Sequence, residues 1–253
     1  MNSFTAYFAK EVLEARRQHK YIIIGAAILF FAILDPMLLK LLPKLLANEI
    51  PAELVNIMKV TRDTAVTNYF KDLFQIGSMI LVFVISSSIC EEINSKKLMI
   101  PLSKGAQSSS IVLAKFAHFA VTVIITLFIG FVTNYYYVNI LFTGGNIDLK
   151  GVLAGFTYFS IYYCFIIALT LFFSALLSKS FIAGILSLVV TYTMAALNSI
   201  NKISKVIPYN LVSEANTLKP IEFHWSIPAT ILYIILLLIF AIKIFDIKKS
   251  NIN

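Results

Sequence analysis

Glu91 and Glu92 stand side by side, and Lys96, Lys97 and Lys104 follow them around the apolar patch Leu98-Met99-Ile100-Pro101-Leu102. Paired acids followed by lysines could do acid–base work, hold a cation, or pair with charges on another molecule. Their setting decides among these. The acids close a long apolar run, and the stretch they open, residues 91–115, is charged and punctuated by Pro101 and serines. It is the segment best suited to meet a soluble partner.

Other chemistry is poorly represented. The chain has no G-x-x-x-x-G-K-[ST] phosphate loop and no His, Cys and Asp residues at metal-ligand spacing. Thr143-Gly144-Gly145 reads as a turn. His118 and His224 read as packed or interfacial side chains, and Cys90 and Cys164 as small buried hydrophobes. Glu91-Glu92 followed by Lys96 faintly resembles the Glu-Glu-x-x-x-Arg motif of membrane-embedded CAAX-type proteases. Here Lys96 stands where the motif has Arg, and the Phe-x-x-x-His partner motif is missing. The reading is a chain with no catalytic, cofactor or metal residues of its own, hence not an enzyme.

The elements that position these residues belong to a membrane. Of the 253 residues 59% are hydrophobic and 13% charged, about half the ~25% charge of a soluble domain. A backbone in lipid must satisfy its own hydrogen bonds, which leaves helices or closed barrels. Barrel strands would alternate apolar and polar residues, whereas these apolar runs are continuous. The net charge of +8 flanks the runs, which fits a membrane surface and gives no reason to invoke nucleic acid.

Taken in order, residues 2–18 predict an amphipathic helix lying in the interface. Phe4, Tyr7, Phe8, Val12 and Ala15 form one face; Lys10, Glu11, Glu14, Arg17 and Gln18 fall mostly opposite. Six spans follow at about 21–42, 69–90, 116–137, 151–178, 180–201 and 225–242. The first must continue through Asp35-Pro36 to be long enough, which puts Asp35 and Lys40 near its outer end; a short re-entrant hairpin is the alternative. Residues 43–67 read as an outer loop with a short helix, and 202–224 as a polar segment. With six spans both termini share a side. That side carries 12 of the 21 Lys and Arg, so it is read as cytoplasmic.

Spans two to six contain almost no ionisable group away from their ends, which argues against ion-coupled transport. Two spans carry uncharged polar stripes, Gln75, Ser78 and Ser86 in the second and Ser187, Thr191 and Asn198 in the fifth. Such stripes serve either helix–helix hydrogen bonding or a pathway lining or dimer seam. Span four carries Tyr158, Tyr162, Phe165 and Phe172 with Phe156, Phe159 and Tyr163 beside them, a surface for packing or for an apolar substrate.

This layout resembles the permease subunits of ABC-2 type exporters. The residues that carry the resemblance are Glu91 and Glu92, then Lys96 to Ser110 with Pro101-Leu102-Ser103-Lys104, and Lys115 opening span three. The family's usual Gly-Thr after the acids is replaced by Lys96-Lys97. The resemblance implies a single all-α domain over 1–253 in a bacterial plasma membrane, with a short coupling helix in the 91–115 loop. It implies that Glu91, Glu92, Lys96, Lys97, Pro101 and Lys104 dock on a pair of separate ATPase subunits, which bind ATP and Mg. It further implies a second permease chain, identical or not, and re-entrant extracellular helices at 202–224. Short outer loops lean towards export of amphipathic peptides or hydrophobic toxins, similar to phenol-soluble-modulin exporters. Drug or lipid export is the alternative, and from another class a peptide sensor or immunity protein.

Overall fold

The computed structural model describes residues 3–46, 60–98, 105–143 and 147–250. Six helices are long and apolar enough to cross a membrane: Lys20–Pro43, Arg62–Asn94, Ser108–Leu141, Leu149–Leu176, Ser180–Leu197 and Ser226–Lys248. They are spans one to six. A separate helix, α1 (Ser3–Arg17), precedes them, and two short helices, Asn201–Ser204 and Asn210–Ala215, lie between spans five and six. Among the described residues there is no strand. The chain is an all-helical, multi-pass membrane protein.

Span four is the hub, packing against spans two, three, five and six and against Asn210–Ala215. The reason is its aromatic stripe. Tyr158, Phe159, Tyr162, Tyr163 and Phe165 are buried, while Phe156 and Phe172 are half-buried. Phe159 meets Phe70 of span two at 5.3 Å between ring centroids, and Phe70 stacks on Phe131 of span three at 5.1 Å.

Span one runs through Asp35-Pro36 as one helix to Leu46, so the hairpin alternative does not occur. Pro36 has no N–H to offer the Ala32 carbonyl. Asn134 of span three fills that place, donating from Nδ2 to Ala32 O at 3.3 Å. Asp35 does not reach outward as expected: it is 4% exposed. It continues the buried stripe Ile24, Ile28, Ala32, which turns it towards the neighbouring spans. Lys40 does point away, donating to Leu141 O at the end of span three at 2.7 Å, and Arg62 donates to Phe142 O at 2.8 Å. Cations at a helix C-terminus suit its dipole.

Span two starts at Arg62, not near Tyr69. Its charged first turns read as loop, yet Thr61 and Thr64 form a reciprocal capping box that opens the helix there. The helix then widens to a π segment at Leu73–Gly77. The Leu73 carbonyl accepts from the Ser78 N–H and from the Tyr163 hydroxyl at 2.8 Å. A Cβ on Gly77 would lie 2.4 Å from that hydroxyl, so only glycine fits. Span three also starts earlier than read, at Ser108. The segment between spans two and three therefore shortens from 91–115 to 95–107, of which 99–104 lie outside the described residues.

Between spans five and six, Asn210–Ala215 lies on span four. The Tyr158 hydroxyl accepts from Glu222 N at 3.3 Å and donates to Glu222 O at 3.4 Å. Residues 47–59 of the polar 43–67 segment, and Gly144 to Asn146 of the expected turn, lie outside the described residues.

The Pro36–Asn134 relation is testable. Asn134→Ala should cost about 1 kcal/mol by orphaning the Ala32 carbonyl. In a Pro36→Ala background, where the backbone N–H returns, the same substitution should cost clearly less. Unfolding of the four variants in detergent gives the coupling; strict additivity would show that Asn134 does not compensate for the proline.

Candidate functional site

Three helix ends meet around a buried charge cluster. α1 presents Tyr7, Glu11 and Ala15 to the bundle, one residue per turn on one face. Glu11 thus lies on the packed face and not opposite it, as its charge suggests from sequence. The last turn of span two puts Glu92 inside and its neighbour Glu91 outside. Span three turns Ile111, Lys115 and His118 inward along one stripe. Lys115 is among the most buried side chains in the protein, at 1% exposure.

The Lys115 ammonium joins all three helices. It lies 2.7 Å from Glu11 Oε1 and 3.0 Å from Glu92 Oε1. Lys10 closes the cluster from its rim, pairing with Glu92, with Glu14 at 2.9 Å and with Glu11 at 3.2 Å. Lys20 completes the charge balance: its field reaches Glu11, Glu14, Glu92 and Lys115, and its ammonium lies 5.7 Å from the Phe119 ring centroid. Carboxylate oxygens of Glu11, Glu14 and Glu92 lie within 4.8 Å of one another, close enough to suggest a metal. Each of these carboxylates already binds an ammonium, so a divalent ion would have to displace Lys10 or Lys115. The arrangement is an ion-pair network that fastens three helices.

Electrostatics on α1 follow from this geometry. Burial alone would push the Glu11 carboxyl up, but the ammoniums of Lys115 and Lys10 outweigh it and hold the group below its ordinary range. Glu14 is lowered likewise, against burial, by its bond to Lys10. Lys10 rises above its ordinary range because Glu92 and Glu11 outweigh its desolvation. Burial, then Glu92, push the Tyr7 hydroxyl up to about 12.

Of the residues read from sequence, Glu92 is locked inside this cluster, whereas Glu91, Lys96 and Lys97 are exposed. Lys96 ends the span with a left-handed φ of 55°, a position that glycine or asparagine fills more readily. Of the stretch Lys96 to Ser110 matched to the coupling helix, Lys96–Leu98 and Gly105 are turn, 106–107 are not helical, and 108–110 open span three. Pro101 and Lys104 lie outside the described residues. Ser78, Ser86, Ser187 and Thr191 are buried, with hydroxyls bonded to their own helices at Phe74, Phe83, Ala183 and Ser187 carbonyls. Ser86 packs where Gly184 of span five comes close. Gln75 is exposed, and Asn198 bonds Ser213 Oγ at 2.9 Å. Cys90 is buried, Cys164 half-buried, and both are free.

Sequence reasoning missed Ser174. Its hydroxyl donates to Ser86 O at 2.6 Å and accepts from Ile89 N at 3.2 Å and Cys90 N at 3.1 Å. Span four thereby grips span two one turn before Glu92. One serine in an uncharged run gives no signal for this. Lys10, Glu11 and Lys115 were visible as charges near apolar runs, but nothing local shows that they converge.

No family model and no curated protein matches the chain.

Two outcomes test the cluster. Lys115→Met leaves buried carboxylates underpaired and should destabilise the protein by about 3–5 kcal/mol. The triple Lys115→Met, Glu11→Gln, Glu92→Gln should recover most of that loss in detergent unfolding. The second concerns pH. Glu11 and Glu14 are lowered from their ordinary 4.5, so their contribution is complete above that value and fades as pH falls through their folded values. Lys10 is raised from 10.5, so its contribution is complete below that value and fades as pH climbs beyond it. Amide protection in α1, taken relative to the intrinsic exchange rate at each pH, should be highest between these limits and fall on acidification.

Proposed function

We propose that this chain is the permease subunit of an ATP-driven exporter of the ABC-2 type, working beside a second permease chain in a bacterial plasma membrane. ATP and Mg bind to separate ATPase subunits. α1 lies at the cytoplasmic interface, and the 95–107 segment receives the push of the ATPases. The observation that carries this reading is the Lys115 cluster. Glu92 precedes the segment and Lys115 follows it, so their ion pair ties both ends to each other and to α1. Force applied to so short a tether reaches spans two and three and α1 together.

The outer surface of that tether is left for a partner. Glu91, Lys96 and Lys97 are exposed, and a notch of about 400 Å³ between the tether and α1 is lined by Lys10, Leu13, Glu14, Arg17, Gln18 and Lys97. Its cations suit carboxylates on an ATPase. For the substrate we favour amphipathic or hydrophobic peptides. An apolar groove of about 400 Å³ runs between α1, span one and span three, with Phe8, Val12, Val121 and Ile125 on its walls.

Co-expression with candidate ATPase subunits tests the reading. The wild-type chain should co-purify with an ATPase. The exposed triple Glu91→Lys, Lys96→Glu, Lys97→Glu, which spares the buried cluster, should lose it at least tenfold while still inserting. Co-purification unchanged by the triple would move the coupling surface elsewhere. A chain that captures no ATPase contradicts the exporter assignment.

A further inference from the structure

The turn from α1 into span one, Arg16-Arg17-Gln18-His19-Lys20, is basic and contains no acid. Lys20 opens span one beside a groove of about 390 Å³ between spans one and two. Gln18, Lys20 and Ser87 give the groove its polar lining, and Ile23, Ile80 and Phe83 its apolar walls. From Ser87 to Ile80 the walls follow span two for about 10 Å. Among the described residues no carboxylate lines the groove. The field of Lys20 reaches Glu11, Glu14 and Glu92, but Lys10 and Lys115 hold those acids in contact and Lys20 pairs with none of them. The Phe119 ring lies 5.7 Å from its ammonium. Only Glu49 and Glu53, of all the acids, have side chains outside the described residues, and they follow the opposite end of span one.

The walls set where an occupant comes from. Ile80 and Phe83 lie well inside span two, and Ile23 and Phe83 are exposed, so whatever fills the groove sits in the bilayer. The polar end sets its head. A zwitterionic phospholipid carries an ammonium as well as a phosphate, and no acid lines the groove to receive that ammonium. An anionic headgroup has no such mismatch: Lys20 offers a charge, and Gln18 gives one amide N–H to Glu14 at 3.1 Å while keeping a second. Basic pockets between spans take anionic headgroups for the same reason. We propose that an anionic phospholipid occupies this groove, with its phosphate at Gln18 and Lys20 and an acyl chain against Ile23, Ile80 and Phe83. The lipid bridges spans one and two where α1 joins the bundle, so the composition of that leaflet sets how firmly α1 is held. The site depends on the membrane fold alone and needs no export function.

Brominated lipids test this, because bromine quenches tryptophan only at short range. In a full chain whose single tryptophan is replaced by Trp225→Phe, Ile23→Trp reports from the groove. Ile22→Trp, exposed at the same depth outside the groove lining, is the control. Each is reconstituted in phosphatidylcholine vesicles holding equal fractions of brominated phosphatidylglycerol or brominated phosphatidylcholine. Ile23→Trp should show an about fivefold preference for phosphatidylglycerol, the scale of one cation facing an anionic lipid, and Ile22→Trp little. Lys20→Gln should remove the preference and Lys20→Arg keep it. If Lys20→Gln does not reconstitute, the two reporters decide by themselves. The proposal is overturned by equal quenching of Ile23→Trp by both lipids, by an equal preference at both reporters, or by a preference that Lys20→Gln leaves intact. Loss of the preference in inorganic phosphate, against chloride at the same ionic strength, overturns it too, since the site would then take a free anion.

Discussion

A lysine ammonium with 1% exposure persists only where carboxylates answer its charge. Lys115 meets that constraint by drawing Glu11 from α1 and Glu92 from span two against span three. The geometry of this whole end of the bundle follows from it. α1 has exposed apolar residues, Phe4, Val12 and Leu13, and would have little reason to adopt one orientation without Glu11 as a pin. The tether between spans two and three is fixed at both ends for the same reason. Such a network contributes less to net stability than to specificity, because desolvation offsets most of the attraction.

Span two departs from regularity at two places, and span four touches both. At the π segment, Tyr163 supplies a hydroxyl to the Leu73 carbonyl; near Glu92, Ser174 threads its hydroxyl among Ser86, Ile89 and Cys90. π segments and inserted hydroxyls are common where a helix must bend or shift. Ser78 is buried just after the π segment, and Ser86 lies where Gly184 of span five comes close. A displacement of the tether would therefore enter span two below Ser174 and meet its next compliant point at Leu73–Gly77.

Much of the fold was legible because lipid leaves few choices. Uninterrupted apolar runs named six helices, and aromatic spacing in span four named the face that became the core. Helix ends were less legible. Arg62 and Asp63 look like loop composition, yet a threonine capping box and a carbonyl partner for Arg62 keep them helical. The site was half legible. Glu91, Lys96 and Lys97 lie where their charge puts them, on the surface. Glu92 and Glu11 do not, because the lysine that makes their burial tolerable arrives from 23 and 104 residues away along the chain. Asp35 is the same lesson in the other direction: a helix stripe of Ile24, Ile28 and Ala32 carried it inward. No local pattern reports such long-range pairing.

The central claim is that α1 and the ends of the 95–107 tether form one body through Lys115. Spin labels at Leu13→Cys on α1 and Lys97→Cys on the tether, in a chain with Cys90 and Cys164 replaced by serine or alanine, measure it directly by pulsed electron–electron resonance. The account predicts a narrow distance distribution that broadens markedly with Lys115→Met and narrows again in the Lys115→Met, Glu11→Gln, Glu92→Gln background. A distribution already broad with Lys115 present, or one that Lys115→Met leaves unchanged, would contradict it.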